Sequence, residues 1–333
     1  MRRPQISSTE TVESTQHGGS SLFQPTDEDV SGGTRQQRSV PLAPWSADGS
    51  LRDLPGWAAE LSGEAGRVVV ETEHHSLLET KRSGFTHRSC SLGNAAGMDG
   101  TTFTRLALEA YEDLLQDIDR RRIFRMWNFI PGINEGDASD QDRYMRFNAA
   151  RFDAFSSRHP LNHPYPPASG VGHEGQDLVL HLMAGDIRVE TIDNPRQTLP
   201  EDYSKTWGLI PPVFTRSALI HGLEKTPLLI VSGTASVRGE ATMHEEDVDR
   251  QLDETIENLE QLLRIASPGN DDSRLDSMLV YVPDQKHLDR LRTRIENELA
   301  SPETDIEYRL GKLCRKSLLV EIEGTMNVKD PSS

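Results

Sequence analysis

The 333-residue sequence has no run of eighteen apolar residues, the length a helix needs to cross a bilayer, so no membrane span is expected. Arg2 and Arg3 open the chain without an apolar segment behind them, which argues against a secretory signal. Cysteine is scarce: Cys90 and Cys314 cannot make a disulfide framework, and the expectation is a cytoplasmic protein with reduced thiols. Positive charge is also short, with 36 Lys and Arg against 53 Asp and Glu and a net charge of −17. So acidic a chain argues against general nucleic-acid binding, yet it leaves room for an anionic small molecule wherever a few arginines converge. Neither a phosphate-binding glycine loop nor a dinucleotide fingerprint occurs. His74 and His75, His87 with Cys90, and His159, His163 and His173 lack the spacing of metal ligands, so no metal and no cofactor are expected.

What is present begins after a tail. Residues 1–50 are rich in Ser, Thr, Gly, Gln and Pro without periodicity and read as disordered. Strands are expected at 68–72 and 86–92. Apolar residues then recur at helical spacing (Phe103, Leu106, Ala107, Ala110, Tyr111, Leu114, Leu115, Ile118) behind an N-cap at Asp99 or Thr102. A strand at 122–130, a helix at 144–155 and a strand at 177–183 follow. A second set repeats this order: a strand at 228–231, a helix at 248–265, a strand at 277–282, a helix at 285–299, and a hairpin with arms 306–314 and 318–323. An offset of 148 places Leu108, Tyr111, Leu114 and Leu115 on Ile256, Leu259, Leu262 and Leu263, and an offset of 140 places His181 on Glu321. The fold class expected is α+β, with halves at 51–190 and 191–326, each a mixed sheet packed by helices, and a short tail at 327–333.

The arm at 318–323 carries two carboxylates. Alternation puts Glu321 and Glu323 on one face with Leu319, and Leu318, Val320 and Ile322 on the other. One reading is an edge strand with a wet face. The other is an acid held in a pocket, where burial keeps it protonated. Cys314 lies seven residues before Glu321, and an odd separation within one strand would set them on opposite faces. They share a pocket only if Arg315-Lys316-Ser317 turns; otherwise Cys314 is an inert buried thiol.

Three segments occur in order: Arg125-Met126-Trp127-Asn128 with Pro131, Ile133 and Asn134; Ser232-Gly233-Thr234-Ala235-Ser236, followed by His244 and a helix with Gln251; and Leu313-Cys314-Arg315 with 318–323. With Asn194-Pro195-Arg196-Gln197 and Ala168-Ser169-Gly170-Val171-Gly172, this set resembles the chorismatases, whose C-terminal half is of YjgF/Rid type. The resemblance spans residues 65–326. It implies two YjgF/Rid-like, chorismate-mutase-like halves. It also implies an enzyme that cleaves the enolpyruvyl ether of chorismate, releasing pyruvate and a hydroxybenzoate or dihydroxycyclohexadiene carboxylate. Glu321 would be the general acid/base, and Cys314 would mark the hydroxybenzoate-forming subtype. The substrate carboxylates call for planar donors, so Arg143, Arg151, Arg196 and Arg216 are candidates, with Tyr165, Tyr203 and Ala235 completing the binding set. Gly132 departs from the basic residue expected in the Pro-x-Ile-Asn loop. The alternative functions are a Rid-like imine deaminase with Arg309 as carboxylate clamp, and a non-catalytic small-acid binder. A monomer is expected, because a duplicated chain can supply both sides of a site that trimeric Rid proteins build between subunits; a trimer is the alternative.

Overall fold

The computed structural model describes residues 42, 45–63, 66–136, 140–157, 165–223, 225–270 and 272–328. Most of the expected N-terminal tail, the loop with His159 and His163, and residues 329–333 lie outside them. After a short helix, α1 (Gly56–Ser62), come strands β1 (Arg67–Glu71), β2 (His75–Arg82) and β3 (Phe85–Leu92), helix α2 (Gly100–Leu115), strand β4 (Ile123–Pro131), helix α3 (Arg143–Ser156), and strands β5 (Ala168–His173) and β6 (Leu178–Gly185). The same order follows: β7 (Arg188–Ile192), β8 (Ser217–His221), β9 (Leu228–Ala235), a two-residue ribbon of β10 (Val237–Arg238) and β11 (Ala241–Thr242), α4 (Val248–Ala266), β12 (Ser277–Val282), α5 (Leu288–Glu298), β13 (Asp305–Leu310) and β14 (Glu321–Asn327).

The two runs form two six-stranded sheets of one topology. The first is ordered β1-β2-β3-β6-β4-β5 and the second β7-β8-β9-β14-β12-β13. Neighbours are antiparallel except for β4 with β5 and β12 with β13, which are parallel. This is the internal repeat, element for element. It extends to burial: Phe103, Leu106, Ala107, Ala110, Tyr111, Leu114 and Leu115 of α2 are buried, and so are Gln251, Glu254, Thr255, Asn258, Leu259, Leu262 and Leu263 of α4, 148 residues later. Each long helix begins on an aspartate whose carboxylate accepts from the first free N–H groups: Asp99 from Thr101 and Thr102, and Asp247 from Arg250.

The layers follow from strand alternation. The even-numbered Leu178, Leu180 and Leu182 of β6 pack under α2 and α3, and Val280 and Ile322 pack under α4 and α5. The opposite faces of the two sheets point towards each other, so that Trp127, Phe129, Val179 and Met183 of the first sheet meet Ile230, Leu279 and Tyr281 of the second. The sheets therefore stack face to face with helices outside. Trp45 caps this layer edge-on to Phe129, with ring centroids 4.7 Å apart. Among the described residues no helix is long and apolar enough to cross a membrane.

One expectation is overturned. Residues 306–314 and 318–323 are not a hairpin, because β12 lies between β13 and β14 and pairs with both. Residues 311–320 instead cross the end of β12. Leu318 to Val320 are not in the sheet; helix α4 holds them, where the Gln251 side chain donates to the Ser317 carbonyl at 2.7 Å and accepts from the Leu319 N–H at 2.8 Å. The strand starts at Glu321 and runs on through Gly324, where a Cβ would collide with the Ser277 carbonyl. Strands β2, β5, β7 and β8 and the ribbon of β10 and β11 are not among the strands expected from the sequence.

Asn258 shows how α4 fixes the end of β9. It is fully buried, and its amide donates to the carbonyls of Ala235 at 3.1 Å and Val237 at 2.9 Å. Asn258→Ala removes a donor from both carbonyls, leaving Val237 with the Gln197 amide at 3.1 Å, and takes away the acceptor of Arg196 Nε; urea unfolding should show a loss of about 1–3 kcal/mol.

Candidate active site

Where the edges of the two sheets meet, α3, β5, β9 and the crossing segment enclose a cavity of about 440 Å³. Glu321 opens β14 with its side chain on the inner face, 4% exposed. The carboxyl lies against Gly233 on the neighbouring β9, where any Cβ would overlap it. Burial first, then the charge of Glu323, pushes its pKa up to about 8, with Arg125 and Arg216 pulling the other way. A carboxyl with that midpoint holds its proton at pH 7.

Glu323, two residues on and on the same face, is treated differently. It accepts from Arg125 Nη2 at 2.6 Å, from Trp127 Nε1 at 2.7 Å and from the Ser169 hydroxyl. Two adjacent carboxylates of one strand thus have opposite surroundings: one is fully paired, the other open to the cavity. No reading of a wet edge strand survives this, because β14 is central in its sheet and both carboxylates are buried.

The turn on which Cys314 depended is present: Leu318 N–H donates to the Arg315 carbonyl at 3.1 Å, and the chain reverses at Lys316 and Ser317. Cys314 consequently lines the same cavity as Glu321. Burial and the nearby Glu321 raise its pKa to about 12, so it is a thiol rather than a thiolate.

Two arginines reach the cavity with donors to spare. Arg151 of α3 is 3% exposed, and its Nε and Nη2 have no hydrogen-bond partner among the described residues. Arg216, just before β8, is 6% exposed; its Nη2 donates to the Tyr203 hydroxyl at 2.6 Å, and its Nε has no such partner. Its position is set by Ser232, whose N–H donates to the Arg216 carbonyl at 2.9 Å. Tyr203 and Ala235 also line the cavity.

Three candidates lie elsewhere. Arg143 donates to the carbonyls of Ala95 and Ala96 at 2.6 and 3.0 Å and covers the Phe103 ring, tying α3 to the start of α2. Arg196 is held by Glu254, Glu257 and Asn258 of α4. Tyr165 packs edge-on against Phe155, 5.6 Å between centroids. None of the three lines the cavity. Gly132, at φ +58°, sits where a Cβ would strike the Glu135 carboxyl; it borders a second, more open cavity, not this one.

The structure adds residues that sequence reasoning passed over. Tyr144 lies two helical turns before Arg151 on α3, and burial together with Cys314 and Glu321 raises its pKa. The i, i+7 spacing was the available signal. Asn128 and Ser169 line the cavity too, and Asn128 is fixed by donating to the Ser169 carbonyl at 2.8 Å.

Comparison with known proteins places these features. Residues 65–184 match the family described as chorismatase FkbO/Hyg5-like, N-terminal. The chain is 33% identical over 240 residues to a 3-hydroxybenzoate synthase of Streptomyces hygroscopicus, covering 68% of this chain and 69% of that protein. It is 30% identical over 226 residues to a chorismatase of Streptomyces rapamycinicus, covering 64% and 66% of the two chains. A chorismatase crystal structure superposes with a TM-score of 0.65 at 24% identity, over 75% of this chain and 77% of that one, and shows the same fold. The chain belongs to the chorismatase family.

Proposed function

We propose that this protein cleaves the enolpyruvyl ether of chorismate and releases pyruvate, with Glu321 as the general acid and base. The observation that carries the reading is a buried carboxyl, its pKa raised to about 8, sharing one cavity with two arginines that each keep at least one guanidinium N–H group without a partner among the described residues. Chorismate has two carboxylates to offer those arginines and a vinyl ether to offer that acid. The names of the relatives, 3-hydroxybenzoate synthase and chorismatase, support the same substrate.

The chemistry follows from the vinyl ether. Its electron pair takes the Glu321 proton at the methylene carbon, leaving an oxocarbenium centre at the ether carbon. Water adds there as the Glu321 carboxylate accepts its proton. The resulting hemiketal collapses: Glu321 hands the proton it took from water to the ring oxygen as the bond between that oxygen and the ether carbon breaks, and takes up the hemiketal hydroxyl proton as the carbonyl of pyruvate forms. If a ring hydroxyl replaces water as the trap, the products sum to chorismate without an added water, as a hydroxybenzoate plus pyruvate does. The protonated Cys314 thiol beside Glu321 supports this second outcome, in line with the hydroxybenzoate-forming subtype. The imine-deaminase reading draws no support from Arg309, whose guanidinium donates to the Asp53 carbonyl and pairs with Glu307.

Incubation with chorismate, with pyruvate followed through a coupled lactate dehydrogenase, should give turnover; no pyruvate above background overturns the reading. Glu321→Gln should keep the fold and lose roughly 10²–10⁴-fold in kcat. Because the protonated carboxyl is the active form, the rate should hold at lower pH and fall as pH rises through about 8. Cys314→Ala should sustain pyruvate release while moving the product ratio away from hydroxybenzoate, read by chromatography against standards.

A further inference from the structure

From the elements packed around it, Glu321 faces Glu323 on its own strand, Arg125 on β4, Tyr281 on β12, Tyr144 on α3, Arg216 before β8, and Cys314 in the crossing segment. Two of these, Arg125 and Glu323, are 1% and 2% exposed and lie between the sheets, outside the cavity lining. They are bonded to each other, and both are bonded to Ser169: Arg125 Nη2 donates to the Ser169 oxygen at 2.7 Å, and the Ser169 hydroxyl donates to Glu323. Ser169 Oγ also accepts from the Gly233 N–H at 3.0 Å. Gly233 is the wall against which the Glu321 carboxyl rests, with no room even for a methyl group. A continuous chain of contacts therefore runs from Arg125 and Glu323 through Ser169 to the backbone that bounds the acid. Arg125, Trp127 and Ser169 belong to the first sheet, whereas Glu323, Gly233 and Glu321 belong to the second.

We propose that Arg125 and Glu323 are positioning residues for Glu321: the buried pair, clamped through Ser169 to the Gly233 backbone, fixes the place of the Glu321 carboxyl and the net charge beside it. Arg125 and Ser169 of the half that lacks the acid thereby act on it together with Glu323 of its own strand. The proposal rests on the reading of Glu321 as the acid. Its electrostatic side is consistent with the opposing pulls of Glu323 and Arg125 on the Glu321 proton. Neutralising Glu323 removes the neighbouring negative charge and leaves Arg125 less compensated, and both changes favour the ionised form of Glu321.

The test is a carbon-13 NMR titration of glutamate-labelled full-length protein, with the Glu321 signal assigned by its loss in Glu321→Gln, run beside the pH dependence of pyruvate release. In Glu323→Gln the Glu321 midpoint should fall by roughly one pH unit or more, and the high-pH loss of activity should move with it. Arg125→Lys keeps the charge and should leave the midpoint in place. An unmoved midpoint in folded Glu323→Gln overturns the proposal. Should that variant lose its cooperative thermal transition, Ser169→Ala decides: both charges stay, so the midpoint should hold while kcat falls, and an unchanged kcat overturns the clamp. If the wild type releases no pyruvate, the chorismate reading fails by itself, and the NMR midpoints still judge the pair.

Discussion

The layer between the two sheets is apolar, and two carboxylates of one strand are buried in it. That constraint organises the site. An isolated buried carboxylate is costly, so each must find a partner or keep its proton. Glu323 finds Arg125, Trp127 and Ser169, three donors from the opposite sheet. Among the described residues Glu321 finds no donor of that kind, and it faces a cavity, so it keeps its proton. The pair that satisfies one carboxylate also locks the sheets in register across the interface, since a guanidinium, an indole and a hydroxyl must all converge on one carboxyl.

Duplication supplied the geometry, and asymmetry supplied the chemistry. Both halves point a titratable residue of their last strand into the shared layer. In the first half this is His181, which lies within hydrogen-bond distance of His87 at 3.0 Å and of the Asp53 carboxylate at 3.2 Å. Burial pushes the pKa of His87 down to about 3, so His87 stays neutral. The chain is closed on itself and borders no described cavity of useful size. In the second half the matching place opens onto the cleft at the sheet edge. One copy was thus sealed as core while the other was left accessible, and the sealed copy still contributes α3, β5 and β4 to the walls of the open one.

Much of this was legible in the sequence, for physical reasons that differ by element. The long helices α2 and α4 were placed to within a few residues because their apolar spacing and aspartate caps are local signals. Glu321, Cys314, Arg151, Tyr203, Arg216 and Ala235 were named before the fold was known, chiefly through ordered segments resembling a family, and the fold brings them into one cavity. Arg143 and Tyr165 were chosen by residue type and Arg196 also for its place in Asn194-Pro195-Arg196-Gln197, and neither type nor segment says what partners a side chain finds. The carboxylates that engage Arg196 sit about sixty positions away on α4, invisible to any local rule. The hairpin failed similarly: Leu318 to Val320 look like strand, but a single glutamine side chain from α4 takes their backbone groups. Tyr144 is two helical turns from Arg151 on one face of α3, but an uncharged phenol in an amphipathic helix carries no signal of its own to set it apart from core.

The cavity also resolves an apparent conflict of charge. A chain of net charge −17 is a poor host for a dianion at long range, but salt screens such repulsion beyond about 8 Å. At contact range the cavity presents guanidinium donors without partners among the described residues, each such buried group costing about 1–3 kcal/mol until something accepts from it. A carboxylate relieves that cost in a way an uncharged analogue cannot. The same logic constrains Glu321. Were it ionised, it would repel the very carboxylates the arginines attract; protonated, it is neutral towards them. Binding of a dianion beside Glu321 must then raise its pKa further, by the reciprocity of linked equilibria. On the proposed reading of Glu321 as the acid, the proton that the vinyl ether requires is the one that substrate binding itself secures, and acid strength and affinity become two aspects of one arrangement of charge.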